Sequence, residues 1–325
     1  MTTAPARSTT PTLRHLYRTQ RPCGFLPDAT DAWGKEVLRG WGDPKTVSWH
    51  LIRESGDVLY STFKHFDVLR ERGVEIPAEV EQGARKLADA FVGLWDRYGQ
   101  FGQFVNIDTG ELDVGGSTAG AIAGAGLCRA YTWFGEPRYL EVAEAATQLY
   151  YDRDAAHGYT TGGPEEILQC PDSESCAGLL ESLVVLYETT HADHWLEKAK
   201  HLAHMSASWT VAYNYHFPPE SEFGRLDMKS VGSVFANAQN KHSAPGNCTL
   251  SGDSLYRLYR YTGDPLYKEL FEDVALTVSQ YMSTDARPIW SWDVPKDASL
   301  LNDDSITAPR EKLLPGYMCE RVNLS

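Results

Sequence analysis

A short internal repeat constrains the fold of this chain more than any other feature. The segment from Phe134 to Ala143, FGEPRYLEVA, recurs as Thr262 to Phe271, TGDPLYKELF, and a looser copy runs from His191 to Ala199. In the first two copies the glycine suits a helix C-cap, the acidic residue suits the next N-cap, and the proline suits the first helical turn. The repeat therefore predicts pairs of helices joined by tight turns.

Four such helix pairs can be counted along the chain. They span about 57–97, 117–153, 174–212 and 251–282. Apolar residues within them recur at helical spacing, as in the stripe formed by Leu59, Phe63 and Phe66. Strand patterns are few and lie in the connections. We therefore predict an all-α fold, an α/α toroid of helical hairpins. Four hairpins are fewer than a complete toroid contains, so an incomplete six-hairpin barrel stays open.

The toroid is predicted to form one domain over residues 14–325. Residues 1–13 are rich in Thr, Ala, Pro and Ser and lack the apolar stretch of a secretory signal, which predicts a disordered tail. Long connections join one hairpin to the next, whereas the turns within the last three hairpins are short. This asymmetry places the long loops on one face, where binding residues concentrate.

The charge and the apolar pattern of the chain argue against two classes of partner. Its 325 residues carry a formal net charge of −14 without a basic cluster, whereas nucleic-acid binders need a concentrated basic surface. No apolar run reaches the roughly 18 residues that a membrane-spanning helix requires. We therefore expect no nucleic-acid and no membrane partner, while the sequence leaves a homo-oligomer open.

The cysteines are scattered along the sequence and form no CxxC pair. They are Cys23, Cys128, Cys170, Cys176, Cys248 and Cys319. This pattern is typical of reduced thiols in a cytoplasmic protein. Together with His216 and His242 they lack the close ligand spacing of known zinc motifs. We therefore expect neither a metal nor a cofactor.

An acidic loop before the third hairpin contains the first candidate catalytic residues. Glu166, Asp172 and Glu174 lie just ahead of a predicted helix. Glycoside hydrolysis needs two carboxyl groups, one protonated and one ionised, and burial or a neighbouring charge can separate their pKa values. The alternative is structural: Asp172 caps the helix and Glu174 complements its dipole. Residue type alone favours the capping interpretation.

Two further segments carry candidate binding groups. The long loop before the fourth hairpin contains a dense polar run that includes Asn240, Lys241 and His242. Amide, ammonium and imidazole groups can bind sugar hydroxyls or a carboxylate, although such a run can also satisfy its own backbone. At the C-terminus, Glu320 and Arg321 could act on a substrate or form a surface ion pair of little energetic value.

Five short strings resemble one known superfamily. They are Val114–Gly120, Tyr159–Pro164, Pro171–Ser175, Gln239–Gly246 and Glu320–Asn323. They look like the six-hairpin glycosidase superfamily, and more narrowly like a largely uncharacterised bacterial group within it. The resemblance covers the chain from about Ser55 to its end. It implies an α/α toroid with a carbohydrate-active cleft, by analogy with glycoside hydrolases and unsaturated-uronyl hydrolases of this fold.

These observations lead to a hypothesis about function. We expect a glycoside hydrolase acting on an oligosaccharide or polysaccharide, which could contain uronate. The candidate catalytic residues are Asp172, Glu174 and Glu320. The candidate substrate-binding residues are Tyr159, Glu166, His216, Asn240, Lys241, His242 and Arg321. Two alternatives stay open: a polysaccharide lyase or sugar epimerase on the same fold, in which His242, Lys241 or a Tyr removes a proton beside a carboxylate, and a non-catalytic sugar-binding subunit.

Overall fold

The chain divides into two compact units, Met1–Ser206 and Ala207–Ser325. The computed structural model describes residues 6–31, 33–38, 44–164, 168–239, 242–244, 252–292, 310–312 and 322–323. The single toroid domain predicted for residues 14–325 stays a prediction. Among the described residues, no helix combines the length and the apolar character needed to cross a membrane.

The first unit is mainly helical. Its helices are α1 (Ala6–Arg18), α2 (Ile52–Glu71), α3 (Ala78–Tyr98), α4 (Ala123–Phe134), α5 (Pro137–Arg153), α6 (Ser173–Thr190) and α7 (Asp193–Trp209), whose last residues belong to the second unit. Short 3-10 turns cover Ala119–Ile122 and Ala155–His157. Its strands are β1 (Ala29–Thr30), β2 (Glu36–Leu38), β3 (Trp49–Leu51), β4 (Phe104–Asn106) and β5 (Leu112–Val114). β1 pairs with β2, and the order β3-β4-β5 forms a small antiparallel sheet.

Three helices form the inner layer of this unit. α4 packs against α2 on one side and against α6 on the other, while α5 contacts both α4 and α6. α6 is buried on every face from Ser175 to Leu186. A helix that is surrounded on all sides belongs to the core rather than to the surface. The first residues of α2 and α6 are therefore held by a rigid, closely packed layer.

Close packing between α2 and α4 depends on a glycine. A Cβ atom added at Gly126 would lie 2.8 Å from the side chain of Leu59, which is fully buried. We expect Gly126→Ala to lower the free energy of unfolding by about 1–3 kcal/mol because of overpacking. Gly93→Ala on α3 is the matched control, since its Cβ would meet no atom within 4 Å. This control should gain about 0.5–1 kcal/mol from helix propensity. Urea unfolding measures both, and equal changes would contradict the packing argument.

The repeat produces the helix caps that the sequence predicts, and an aromatic side chain is buried after each turn. Gly135 and Gly263 end α4 and the corresponding helix of the second unit with φ of 69° and 72°, in the left-handed region that glycine favours. Tyr139 and Tyr267 follow these turns and are 2% exposed, and Trp195 in the looser copy is 3% exposed. The predicted helix caps are confirmed.

The first hairpin begins earlier than predicted. α2 starts at Ile52 instead of 57 because β3 leads directly into it and pairs with β4. The amide of Ile52 donates to the carbonyl of Gln103 at 2.9 Å, which satisfies a free N–H of the first turn. Asp57 is therefore not a helix cap. It lies in the second turn of α2, one turn after Arg53.

The prediction of a disordered tail over residues 1–13 is wrong from Ala6 onward. Ala6–Arg18 forms α1, which packs against α3 and α2. Leu13 and Tyr17 are buried, and the hydroxyl group of Tyr17 lies 2.8 Å from Oγ1 of Thr62. Polar composition predicted disorder, but the apolar side chains at helical spacing supply the buried face that orders the segment.

The second unit contains the fourth hairpin and several short strands. Its helices are α8 (Glu222–Arg225), α9 (Asp253–Thr262) and α10 (Pro265–Gln280), and its strands are β6 (Val234–Phe235), β7 (His242–Ala244), β8 (Trp290–Trp292), β9 (Arg310–Lys312) and β10 (Val322–Asn323). α9 packs against α10. The strands form two antiparallel sheets, β10-β7-β6 and β8-β9. Across both units, the cysteines within the described ranges carry reduced thiols: Cys23, Cys128, Cys170 and Cys176.

Candidate active site

Three charged side chains meet where α2 and α6 begin. Arg53 lies in the first turn of α2, Asp57 in its second turn, and Glu174 in the first turn of α6. Nη1 of Arg53 is 2.8 Å from Oε2 of Glu174 and 3.7 Å from Oδ2 of Asp57. The side chains of Arg53, Asp57 and Glu174 are 22%, 30% and 18% exposed. One cation therefore lies between two carboxylates whose side chains are partly exposed.

The environment distinguishes the two carboxyl groups. Burial raises the pKa of Asp57 to about 6, and the charge of Glu174 adds to this effect although Arg53 opposes it. Burial alone would lower the pKa of Arg53, but the negative charges of Glu174 and Asp57 hold it above its usual range. Glu174 has the shorter contact with this permanent cation. The arrangement therefore pairs Glu174 closely with the cation and leaves beside it an Asp57 that holds a proton up to about pH 6.

The loop before α6 is fixed against the start of that helix. A Cβ atom at Gly163 would lie 2.5 Å from Oδ1 of Asp172 and 2.9 Å from the Cβ of Glu174, so only glycine fits. The amide of Thr118 donates to the carbonyl of Thr161 at 2.9 Å, which joins this loop to the one before α4. Both loops lie at the beginning of inner helices. They hold the backbone around Glu174 in place.

Asp172 occupies the N-cap of α6 and is fully buried. Its Oδ1 accepts from the amide of Ser175 at 2.6 Å, and its Oδ2 accepts from the amide of Gly163 at 3.0 Å and from Oγ of Ser175 at 3.1 Å. Burial raises the pKa of Asp172 to about 7 although these hydrogen bonds oppose the shift. A carboxyl group without exposed surface cannot touch a substrate, so the geometry supports the capping interpretation of Asp172.

The remaining sequence-predicted site residues lie partly within and partly outside the described part of the chain. Tyr159 belongs to the first unit and is 41% exposed, with its hydroxyl group 3.4 Å from the carbonyl of Arg153. His216 is exposed on the second unit. The backbone of His242 lies in β7, and its side chain is outside the described part of the chain. Outside the described residues altogether are Glu166, Asn240, Lys241, Glu320 and Arg321. Among the predicted site residues that the structure describes, Asp172 and Glu174 lie together at the start of α6.

Arg53 and Asp57 are the residues that sequence reasoning missed. A first hairpin that begins at about residue 57 places Asp57 at the helix N-cap and leaves Arg53 outside the helix. Their spacing of four residues was the available signal, since side chains at i and i+4 share one helix face. A pair of opposite charges at this spacing is common on solvated helices. Only the contact of Arg53 with Glu174 distinguishes this pair from such surface pairs.

Comparison with solved structures identifies the architecture. No family model and no curated protein matches the chain. An α-1,6-mannanase of glycoside hydrolase family 76 from Salegentibacter sp. HEL1_6 aligns over 84% of this chain and 70% of its own, with 15% identity and a TM-score of 0.51. A sugar epimerase from a ruminal bacterium aligns over 87% and 71%, with 11% identity and a TM-score of 0.57. The chain has the α/α toroid fold.

A third similar structure extends this result. The cellobiose 2-epimerase of Spirochaeta thermophila DSM 6192 aligns over 86% of this chain and 72% of its own, with 16% identity and a TM-score of 0.53. Such mannanases and epimerases are members of the six-hairpin glycosidase superfamily. The fold that the sequence resemblance implied is therefore confirmed, whereas the chemistry must be argued from the residues of this chain.

Proposed function

We propose that this protein is a carbohydrate-active enzyme, a glycoside hydrolase that cleaves oligosaccharides with Asp57 and Glu174. One observation carries the proposal: two partly exposed carboxyl groups flank a single guanidinium nitrogen of Arg53, which is closer to Glu174. Glycoside hydrolysis needs one carboxyl group that keeps its proton and one that is ionised. The toroid fold shared with a mannanase supports this assignment.

Each side chain has a distinct role in this mechanism. Asp57, with its pKa raised to about 6, protonates the leaving oxygen of the glycosidic bond. Glu174, 2.8 Å from Nη1 of Arg53, attacks the anomeric carbon or stabilises the developing positive charge at the sugar ring. Both carboxylates contact one nitrogen, at 2.8 and 3.7 Å, which favours the close spacing of about 5 Å in retaining enzymes over the wider gap of inverting ones. Arg53 positions Glu174 and does not transfer a proton.

The substrate is proposed to be an oligosaccharide or polysaccharide. An α-1,6-mannanase variant with two neighbouring aspartates replaced by asparagine is described as inactive and in complex with α-1,6-mannotriose. This makes mannotriose a reasonable first probe. Tyr159 is an exposed aromatic side chain on which a sugar face could stack. Lys241 and Arg321 stay proposed ligands for a uronate carboxylate, and Glu320 stays a proposed distant catalytic partner.

A sugar epimerase is the second candidate, because epimerases share the fold. In that case an ionised carboxylate of the same pair would remove the proton beside the carbonyl of the open-chain sugar and return it on the other face. Epimerisation creates no new reducing end and exchanges that proton with solvent. These consequences separate it from hydrolysis.

The test is product analysis of the full chain with α-1,6-mannotriose, cellobiose and a uronate-containing oligosaccharide. We expect new reducing ends without new near-ultraviolet absorbance, and their loss in the Glu174→Gln variant. A 2-epimer carrying deuterium from heavy water would establish the epimerase instead, and new absorbance would establish a lyase. No product from folded protein across these probes would refute the enzymatic proposal and favour a sugar-binding subunit.

A further inference from the structure

A second cluster of polar groups lies beside the start of α2 and takes no part in the proposed hydrolysis. It consists of Asp28, His50 and Glu54, whose potential ligand atoms all lie within 4.8 Å of one another. His50 is 1% exposed, and the side chain of Asp28 is 12% exposed. Surface acidic groups often gather without a ligand, but this cluster is centred on a buried imidazole. It joins the segment before β1 to β3 and α2.

The small sheet fixes the imidazole in one position. His50 lies in β3 opposite Val105 of β4. Its ring is 6.2 Å from that of Phe25, and both of its nitrogens have close neighbours. Nε2 is 2.7 Å from Oγ of Ser55, and Nδ1 contacts Oδ1 of Asp28. Polar partners on both ring nitrogens therefore fix the orientation of the imidazole. In metal sites, the ligating histidine is oriented in the same way by an outer hydrogen bond.

The hydrogen bonds allow a lone pair to face the carboxylate. Ser55 Oγ is an acceptor for the amide of Leu26 at 3.5 Å, and it can also accept the Nε2 proton of His50. In that tautomer Nδ1 has no proton and its lone pair faces the carboxylate of Asp28. Two acceptors in contact repel unless a cation lies between them. Glu54 brings a second carboxylate to the same place.

We propose that Asp28, His50 and Glu54 bind a divalent transition-metal ion, with zinc as the expected species. One imidazole and two carboxylates form a set of nitrogen and oxygen ligands that suits zinc, and manganese to a lesser degree. Calcium is disfavoured because it takes oxygen ligands almost exclusively. Ser55 positions His50 from the side away from the ion. The ion links the segment around Asp28 to the continuous β3–α2 segment that carries His50 and Glu54, so its binding stabilises the first unit.

The competing arrangement has no metal. If Nδ1 of His50 carries the proton and donates to Asp28 while Ser55 donates to Nε2, the three groups form a satisfied hydrogen-bond chain. This arrangement leaves no lone pair for a metal. Metal titration separates the two cases, because only the first binds an ion at these residues.

The experiment uses the full chain, treated with a chelator and then titrated with zinc ions by calorimetry. We expect one site per chain. Glu54→Gln and Asp28→Asn should each weaken binding by at least about 100-fold, because the loss of an outer hydrogen-bond partner alone costs about 10–100-fold. The matched control is His15→Gln, which removes an imidazole that contacts Thr30 and Arg18 but no carboxylate. This control should bind zinc as the parent does. Saturating zinc should raise the unfolding temperature by about 5–10 °C.

X-ray absorption of the zinc-loaded parent protein identifies the ligand atoms directly. It distinguishes this site from zinc bound to cysteines, and it does not depend on the variants folding. The parent protein should show only nitrogen and oxygen neighbours at about 2.0–2.2 Å from zinc. A sulfur shell at about 2.3 Å, unchanged affinity in folded Glu54→Gln, or no zinc binding by the folded parent would each overturn the proposal. The last outcome would assign the cluster to the hydrogen-bond chain.

Discussion

The Asp57→Asn variant is expected to lose about 100- to 10,000-fold in kcat while becoming more stable than the parent above pH 6. The loss follows from removing the proton donor, whose contribution lies in the range of general acid catalysis. An amide has nearly the same shape as the carboxyl group, and the shorter contact between Arg53 and Glu174 is left in place. The fold should therefore be retained.

The gain in stability follows from the raised pKa of Asp57. Its pKa is about 6 in the folded chain and about 3.9 in an unfolded chain. A raised folded-state pKa gives stability that is fully present below about pH 4 and is lost as the pH rises through 6. Asn cannot ionise, so the variant avoids this loss. After allowance for the 30% exposure of the side chain, the gain above pH 6 is on the order of 1–2 kcal/mol.

Two measurements check this prediction together. Urea unfolding at pH 4 and pH 8 should show a stability difference between variant and parent only at pH 8. The parent kcat/KM should decline above about pH 6 as the acid loses its proton. Asp67→Asn, at the other end of α2 and paired with Arg70, is the control and should keep its turnover. Full activity in Asp57→Asn would remove Asp57 from the mechanism.

The fold was predictable because its signals are local. Turn, cap and first-turn aromatic recur within ten residues, so the copies around Gly135 and Gly263 specify hairpins without knowledge of their neighbours. The start of α2 was not predictable in this way. It depends on β3 pairing with β4, a contact between segments far apart in the sequence. The sequence around Asp57 therefore suggests an N-cap at that residue. It does not indicate that the helix already begins at Ile52.

In the candidate site, too, the sequence predicted local features and missed contacts between distant segments. Glu174 was found because acidic residues gather ahead of a helix, a pattern visible in one segment. Its partner Arg53 belongs to another hairpin, and no sequence spacing connects the two. For Asp172 the sequence supported a cap and a catalytic role at once. Only its complete burial and its hydrogen bonds to Gly163 and Ser175 separate these roles.

The Asp172→Ala variant is expected to lower the free energy of unfolding by about 2–4 kcal/mol. It removes the N-cap of α6. It also leaves the amides of Gly163 and Ser175 buried without their acceptor, and each unsatisfied amide lowers the free energy of unfolding by about 1–3 kcal/mol. Asp264→Ala is the matched control, because Asp264 caps α10 with a similar bond to Leu266 but is exposed to water. It should lose only about 0.5–1 kcal/mol.

Asp172→Asn separates the cap from a catalytic role. Asn caps helices about as well as Asp, so one oxygen still accepts from the amide of Ser175, but its NH2 group now faces the amide of Gly163. We expect a stability loss smaller than that of Asp172→Ala and turnover within about tenfold of the parent, measured well below the unfolding temperature. A folded Asp172→Asn protein without turnover, combined with a small loss in Asp172→Ala, would contradict the cap. This result would favour the catalytic interpretation of Asp172, because a structural role would then no longer explain a buried carboxyl group with a pKa of about 7.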